Sequence, residues 1–536
     1  MSYALLWIET LVLVGLWTIA WMALAGRMRR TLWTVLLSLL ATVPPIVVAL
    51  AVAGGATVIR IQTMGRIGMF WGPFTLGVIG LILTLAVLFF GLRRPAGMEL
   101  RRAAGWPAGR LMVALLAIAA VWWMTGWNIE LAMRSRMATL RAEAGATLLS
   151  LAPPAVSDSQ NAALLYEQAF ELMEAEKDTK SLESFIDRDE PPAYGGPEVE
   201  QFLARHARAL SLIRQAAAMP DCYFDHDYGR PSISMLLPEL NQQKQAVHLV
   251  MLSARHALAR GRIDAAVDDL NVMFRMAEHA GRVPILISAL VSVAIDSLGI
   301  QTLGEILPAA TTPQQLDRIG LPDPRRFPRM ARRAMAAEEA FGIATLCDLG
   351  SGTLSMEELS GSGRTPEPLE RGAISAYALL MFGDEVNGYR RAMRRYRDLA
   401  GRQYYQVRTE LDQFSRSIEQ DRGGLFVQLL LPALNAAMQR LTMIQAQCEA
   451  ARVAVAAARY RLLNGKLPER IEDFGALLDP VPIDPFDGKP MRWKLDEEAG
   501  LAYSVGVNGV DDGGMIDKKD RMKGDVGIRV KNPKQR

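Results

Sequence analysis

Cysteine and histidine are scarce in this chain. Its 536 residues include only three cysteines, Cys222, Cys347 and Cys448, and five histidines. An odd, scattered set of thiols makes no disulfide framework, so three buried free thiols are expected. His206, His226, His248, His256 and His279 form no His-Glu-x-x-His pair. Paired Cys-x-x-Cys, the Gly-x-Ser-x-Gly elbow and the phosphate-binding Gly-x-x-x-x-Gly-Lys loop are missing too, so no motif points to an enzyme or a small-molecule substrate. Charge of one sign is also lacking. Lys and Arg number 60 against 57 Asp and Glu, a net charge of +3, so nucleic acid is not an expected partner.

Long apolar runs are what the chain does have. Half of its residues are hydrophobic, and four runs open it: Ala4–Gly26, Leu32–Ile59, Ile67–Leu92 and Leu111–Trp127. Each approaches the length a helix needs to cross about 30 Å of hydrocarbon, and Trp122, Trp123 and Trp127 suit an interfacial anchor for the fourth. Pro44-Pro45 is expected to kink the second run. The first reads as a retained helix, because Met1-Ser2-Tyr3 carries no positive charge and Arg27, Arg29 and Arg30 follow the run directly. Glu9 lies close enough to its helix end to reach the interface. Arg93, Arg94, Arg101, Arg102 and Arg110 fill the third loop, while Arg60 and Arg66 alone serve the second. The positive-inside rule then places loops one and three in the cytoplasm, and the N-terminus and everything after Trp127 outside. The expected location is an inner membrane, with the lipid bilayer as one partner.

Residues 142–422 read as helical. Apolar residues recur at three- and four-residue spacing over Asn161–Lys177, with Ser157 and Asp158 as candidate caps, and again over Pro197–Met219 and Ile233–Arg260. Ala257–Ala266 resembles one turn of a tetratricopeptide hairpin, but no second copy follows at a period of about 34 residues, so an ordinary helical hairpin is expected. Ile285–Ile306 is apolar enough for a fifth span. Asp296 interrupts it and Pro284 and Pro308 frame it, which favours a buried core helix. Gly350–Gly372 is rich in Gly, Ser, Thr and Pro and reads as a linker. Tyr389–Arg397 carries five arginines among aromatics; the nearby Asp384, Glu385 and Asp398 favour a solvated helix face. Asp221–Asp227, with Cys222 and His226, is the densest set of potential zinc ligands in this part. It lacks a second ligand pair, and a polar loop is expected.

The last fifth has the most specific pattern. Pro432–Leu463 reads as an amphipathic helix ended by a left-handed cap at Asn464-Gly465. A short helix over Leu467–Phe474 and strands over Met491–Leu495, Leu501–Val507 and Val526–Val530 are expected to follow. Asp511, Asp512, Asp517, Asp520 and Asp525 crowd a loop with Gly509, Gly513, Gly514 and Gly524. Carboxylates and carbonyls on a flexible backbone suit a hard cation, while Lys518, Lys519, Arg521 and Lys523 favour a solvated turn.

The order of a long helix, Tyr460, Gly465, Pro468, then Asp484-Pro485 with Gly488 and Pro490, then Ser504, Gly506, Asn508, Gly509, Gly513, Gly514 and Asp525, resembles the major pseudopilin of type II secretion systems. The resemblance implies a small α+β module with a structural Ca²⁺ bound by the acidic loop. Carried over, the ligands would be Asp511, Asp512 and Asp525, followed by Asp517 and Asp520. Two features depart from the family. Gly424–Leu431 is too short and too internal to serve as a pilin's N-terminal helix, and Asn508 stands where an Asp is common. The whole layout also looks like large planctomycete envelope proteins.

The expected architecture is therefore membrane plus mainly α. Four transmembrane helices occupy 1–131, an α-helical extracytoplasmic domain 132–349, a linker 350–372 and a helical extension 373–424. A long helix with the pseudopilin-like module occupies 425–536. The expected role is an envelope scaffold with protein partners; the alternative is a membrane-anchored hydrolase or sensor with its site near Asp225-His226-Asp227.

Overall fold

The computed structural model describes residues 134–176, 179–186, 193–231, 237–351, 368–421, 425–517 and 523–531. The four apolar runs expected to cross a membrane, most of the expected linker, and Asp520 lie outside these residues. The described chain is mainly helical and carries a small three-stranded antiparallel sheet.

The first helix, α1, covers 134–151. A 3-10 turn, Asp158–Gln160, leads to α2, Ala162–Glu176. The side chain that starts α2 is neither Ser157 nor Asp158. Asn161 Oδ1 accepts the Ala163 amide at 3.1 Å and the Tyr223 amide at 2.8 Å, so one residue caps the helix and ties a distant loop to it. Next come α3 (Thr179–Ile186), α4 (Pro197–Arg205) and α5 (Ala207–Ala218). The apolar periodicity over Pro197–Met219 predicts one helix, but His206 interrupts it with non-helical dihedrals and its Nδ1 lies 3.0 Å from the Phe202 carbonyl. Then α6 (Pro238–Ala259) and α7 (Ile263–Ala280) form the expected hairpin, turning at Gly261 with φ 70°.

After the hairpin follow α8 (Leu286–Ile306), the five-residue α9 (Pro313–Asp317), α10 (Arg326–Ser351), α11 (Pro368–Ala400), α12 (Tyr404–Asp421) and α13 (Leu425–Asn464). Residues 350–351 and 368–372, expected in the linker, are helical; Pro368 opens α11, where a missing N–H is harmless. Gly465, at φ 76°, ends α13 as its left-handed cap predicts. A 3-10 stretch, Ile471–Leu478, replaces the short helix expected slightly earlier. Strands β1 (Arg492–Leu495), β2 (Ala499–Ser504) and β3 (Val526–Lys531) form a meander in the order β1-β2-β3.

The chain divides into two compact units. One contains 141–344 and 384–536, so the helical middle and the C-terminal sheet share a unit. In the other, the described residues are 134–140, 345–351 and 368–383, where the buried Cys347 thiol lies 3.7 Å from the Met137 carbonyl.

Within the larger unit, Tyr166, Phe170, Phe202, Ile213, Leu249 and Met273 join α2, α4, α5, α6 and α7 in one apolar core. The only helix among the described residues long and apolar enough to cross a membrane is α8. It packs on α6, α7, α13 and β3, and its Asp296 is fully buried beside Arg326. Small side chains on α13 (Ala446, Ala450, Ala454, Ala457 and Ala458) are almost completely buried, which lets α13 approach both α8 and the sheet closely. β2 is buried at every position, as a central strand covered on both faces must be. All three cysteines are free and buried.

Candidate functional site

Arg492 is the hub of the C-terminal module. It lies on β1 opposite Tyr503 of β2. Its Nη1 donates to Asp484 Oδ2 at 2.9 Å, its Nη2 to Asp487 Oδ2 at 2.5 Å and its Nε to Asp511 Oδ2 at 2.9 Å. Asp484 is fully buried, and its carboxylate also accepts the amides of Phe486 and Val505 and the Ser504 hydroxyl. Those bonds use the acceptor sites of a carboxylate almost completely. Burial nevertheless pushes the Asp484 carboxyl above its usual range. At Asp511 burial works the same way, but the Gly513 amide and the Arg492 guanidinium outweigh it and hold that carboxyl below its usual range.

The acidic loop has its own internal frame. Asp525 is almost fully buried; its Oδ2 accepts the Gly514 amide at 2.6 Å and its Oδ1 the Asp512 amide at 3.3 Å. Gly514 reaches that position with φ 86°, which a side chain would oppose. Asp512 Oδ2 accepts the Asn508 side-chain amide at 2.9 Å, so the Asn that departs from the family pattern supplies a donor where an Asp would add repulsion. Lys494 Nζ donates to the Gly513 carbonyl at 2.8 Å, and Arg408 of α12 donates to the Asn508 carbonyl at 3.1 Å. Held this way, the loop presents Val510 at 57% and Met515 at 71% exposure.

Asp511, Asp512 and Asp525 each have partners of their own. Asp511 turns to Arg492, Asp512 to Asn508 and Asp525 to loop amides; Asp517 follows the Ile516–Gly524 bridge, and Asp520 is outside the described residues. A Ca²⁺ cage requires about six to eight converging oxygens. Among the described residues no three His, Cys, Asp or Glu side chains are gathered for a metal. As placed, Asp511, Asp512 and Asp525 do not by themselves form the cage for the ion that the pseudopilin resemblance implies. Sequence reading missed Arg492, because a single arginine in a half-buried strand has no distinguishing spacing. Asp484 and Gly488 were visible as motif residues, but their partner was not.

The alternative site resolves into a pair. His226 Nε2 lies 3.1 Å from Glu239 Oε1 in the first turn of α6, with Phe224 and Tyr228 rings beside the imidazole. Asp225 and Asp227 are exposed and do not join it, and burial pushes the neighbouring Cys222 thiol up to about 12, where it is no nucleophile. Three other histidines serve structure. His279 bridges the Tyr166 hydroxyl and the Met219 carbonyl, His206 meets the Phe202 carbonyl, and His256 meets the Tyr194 carbonyl.

Four of the five arginines in the run on α11 are paired, and Tyr389 and Tyr396 are buried beneath it. Arg390 pairs with Glu143, Arg394 and Arg397 with Glu339, and Arg395 with Glu410. No protein-family model, curated protein or solved structure matches the chain.

Proposed function

We propose that this protein is a membrane-anchored envelope scaffold whose C-terminal module docks another protein, in an assembly related to secretion or pilus-like systems. One observation carries the reading: a loop fixed by Arg492, Asp525 and Arg408 holds Val510 and Met515 out to solvent. Rigid presentation of apolar side chains lowers the ordering cost of association, which is how a docking surface gains affinity. The four apolar runs supply the anchor, and the long helix, acidic loop and three-stranded meander support the pseudopilin-like reading of the module. The test is photo-crosslinking from positions 510 and 515 of the full chain in its native membrane. One defined envelope protein, captured by the wild type and lost in Val510→Asp and Met515→Asp, supports the scaffold; identical capture by the Asp variants removes it.

A second reading, an extracytoplasmic hydrolase or sensor, is favoured by the His226–Glu239 pair alone. A carboxylate that orients an imidazole leaves the other ring nitrogen available as a base. If that pair carried the function, His226→Ala would abolish it while leaving the crosslink from position 510 intact.

A further inference from the structure

The module that resembles a calcium-binding fold brings its own cation. We infer that the Arg492 guanidinium takes the place of a divalent metal in this module, clamping Asp484, Asp487 and Asp511 so that the acidic loop is ordered without Ca²⁺. Three observations on separate segments carry this. The three carboxylates come from a tight turn and from the loop, 8, 5 and 19 residues away from Arg492, and each approaches a different guanidinium nitrogen at 2.9, 2.5 and 2.9 Å. The guanidinium is 16% exposed, Asp484 is fully buried and Asp487 is 17% exposed, so the cluster is enclosed on the side of the turn, while Asp511 reaches it from the loop at 47% exposure. The loop aspartates that a metal would require are committed elsewhere: Asp512 to the Asn508 amide, Asp525 to the amides of Asp512 and Gly514.

The geometry explains why an arginine can do this. A planar fork offers several N–H donors in fixed directions and stays charged at any working pH, so one side chain bridges several carboxylates. A divalent metal would bridge them too, but it would have to displace the guanidinium from the same oxygens. Two cations do not share that space. Removing Arg492 therefore leaves three carboxylates around one point, and those carboxylates become the cation-dependent site that the wild type lacks.

The experiment is hydrogen exchange of the full chain, read on peptides spanning 503–516, with millimolar CaCl₂ or chelator at matched ionic strength. Wild type, Arg492→Gln and Arg492→Lys are compared. The wild type is expected to exchange identically with and without Ca²⁺. Arg492→Gln should exchange at least tenfold faster over this segment and regain protection in Ca²⁺. Asp511→Asn added to Arg492→Gln should cancel that recovery. Arg492→Lys keeps one charge but cannot bridge three carboxylates, and should exchange at an intermediate rate without a Ca²⁺ response. Ca²⁺ protection in the wild type would overturn the inference, because the ion and not Arg492 would then close the loop. Wild-type exchange in Arg492→Gln would overturn it, as would an opened Arg492→Gln loop that Ca²⁺ leaves open. If Arg492→Gln does not fold, Arg492→Lys decides: a lysine variant indistinguishable from wild type sinks the bridging role.

Discussion

Arg461, in the last turn of α13, donates from Nη2 to the Leu307 carbonyl at the C-terminal end of α8, 3.0 Å away. The same guanidinium donates to the carbonyls of Ala310 at 3.3 Å and Lys531, at the end of β3, at 3.4 Å. The residue is 5% exposed, and burial pulls its pKa down from the usual arginine value. What keeps it charged there is the negative end of the α8 dipole together with those carbonyls. It is the bolt that joins the helical middle to the sheet.

Arg461→Met should therefore destabilise the protein by about 2–3 kcal/mol, because three carbonyls lose a charged donor and no water replaces it. Arg461→Lys should recover little of this, since one ammonium cannot reach all three acceptors. Urea denaturation of the full chain reads both. A Lys variant as stable as wild type would show that charge alone matters and that the fork does not.

Buried His279 and half-buried Glu338 tilt stability with pH in opposite directions. Burial, assisted by Arg282 and Arg275, pulls His279 down to about 3, and burial pushes the Glu338 carboxyl up to about 7. His279 binds fewer protons folded than unfolded, so its contribution is present above about pH 6.5 and is lost as pH falls toward 3, by at most about 1.4 kcal/mol per unit. Glu338 binds more protons folded, so its contribution is present below about pH 4.5 and is lost as pH rises toward 7. Between about 4.5 and 6.5 the slopes cancel. Glu338→Gln, a mimic of the neutral acid, should expose the histidine slope: the variant gains on wild type as pH rises to 7 and falls off as pH drops below 6.5. Stability measured at half-unit steps checks it, and a pH-independent difference between the two proteins would refute the Glu338 assignment.

Gly342 lies in α10 against the ring of Tyr389, whose hydroxyl donates to the Glu338 carbonyl at 2.7 Å. A Cβ at 342 would sit 2.2 Å from the Tyr389 hydroxyl oxygen and ring. Helix propensity alone predicts that Gly342→Ala stabilises by about 1 kcal/mol. Overpacking a fully enclosed aromatic costs about 1–3 kcal/mol and wins, so the net effect should be destabilising. In Tyr389→Leu the same Gly342→Ala change should become neutral or favourable. Additive effects in the double-mutant cycle would mean the clash is relieved elsewhere.

Which features the sequence disclosed follows from the range of their causes. The end of α13 at Gly465, the strands around Trp493, Tyr503 and Ile528, and the core character of α8 depend on local dihedral preference or periodicity, and all could be read in order along the chain. The break at His206 could not, because the apolar spacing continues through it. Neither could the cap by Asn161, whose second partner is 62 residues away. The candidate site divides in the same way. That Asp511, Asp512 and Asp525 share a glycine-rich loop was legible. That Asp511 turns to Arg492 is decided by strand pairing, and composition carries no trace of it.

Asp525 tests whether the loop frame is carboxylate-specific. Its two oxygens each accept a backbone amide, from Asp512 and Gly514, while its own amide donates to the Met515 carbonyl at 3.0 Å. An asparagine has nearly the same shape but offers one acceptor and an NH₂, so one loop amide must face a donor. Asp525→Asn should therefore cost about 1–3 kcal/mol, the penalty for a buried donor left unpaired. The loss should appear first as faster hydrogen exchange at Gly514, while Val505, whose amide is held by Asp484, stays protected. Asp525→Ser, too short to reach both amides, should open the loop at least as far. If the Gly514 amide stayed as protected in Asp525→Asn as in the wild type, the loop would owe its shape to its glycine dihedrals, and the carboxylate would be incidental to how Val510 and Met515 are presented.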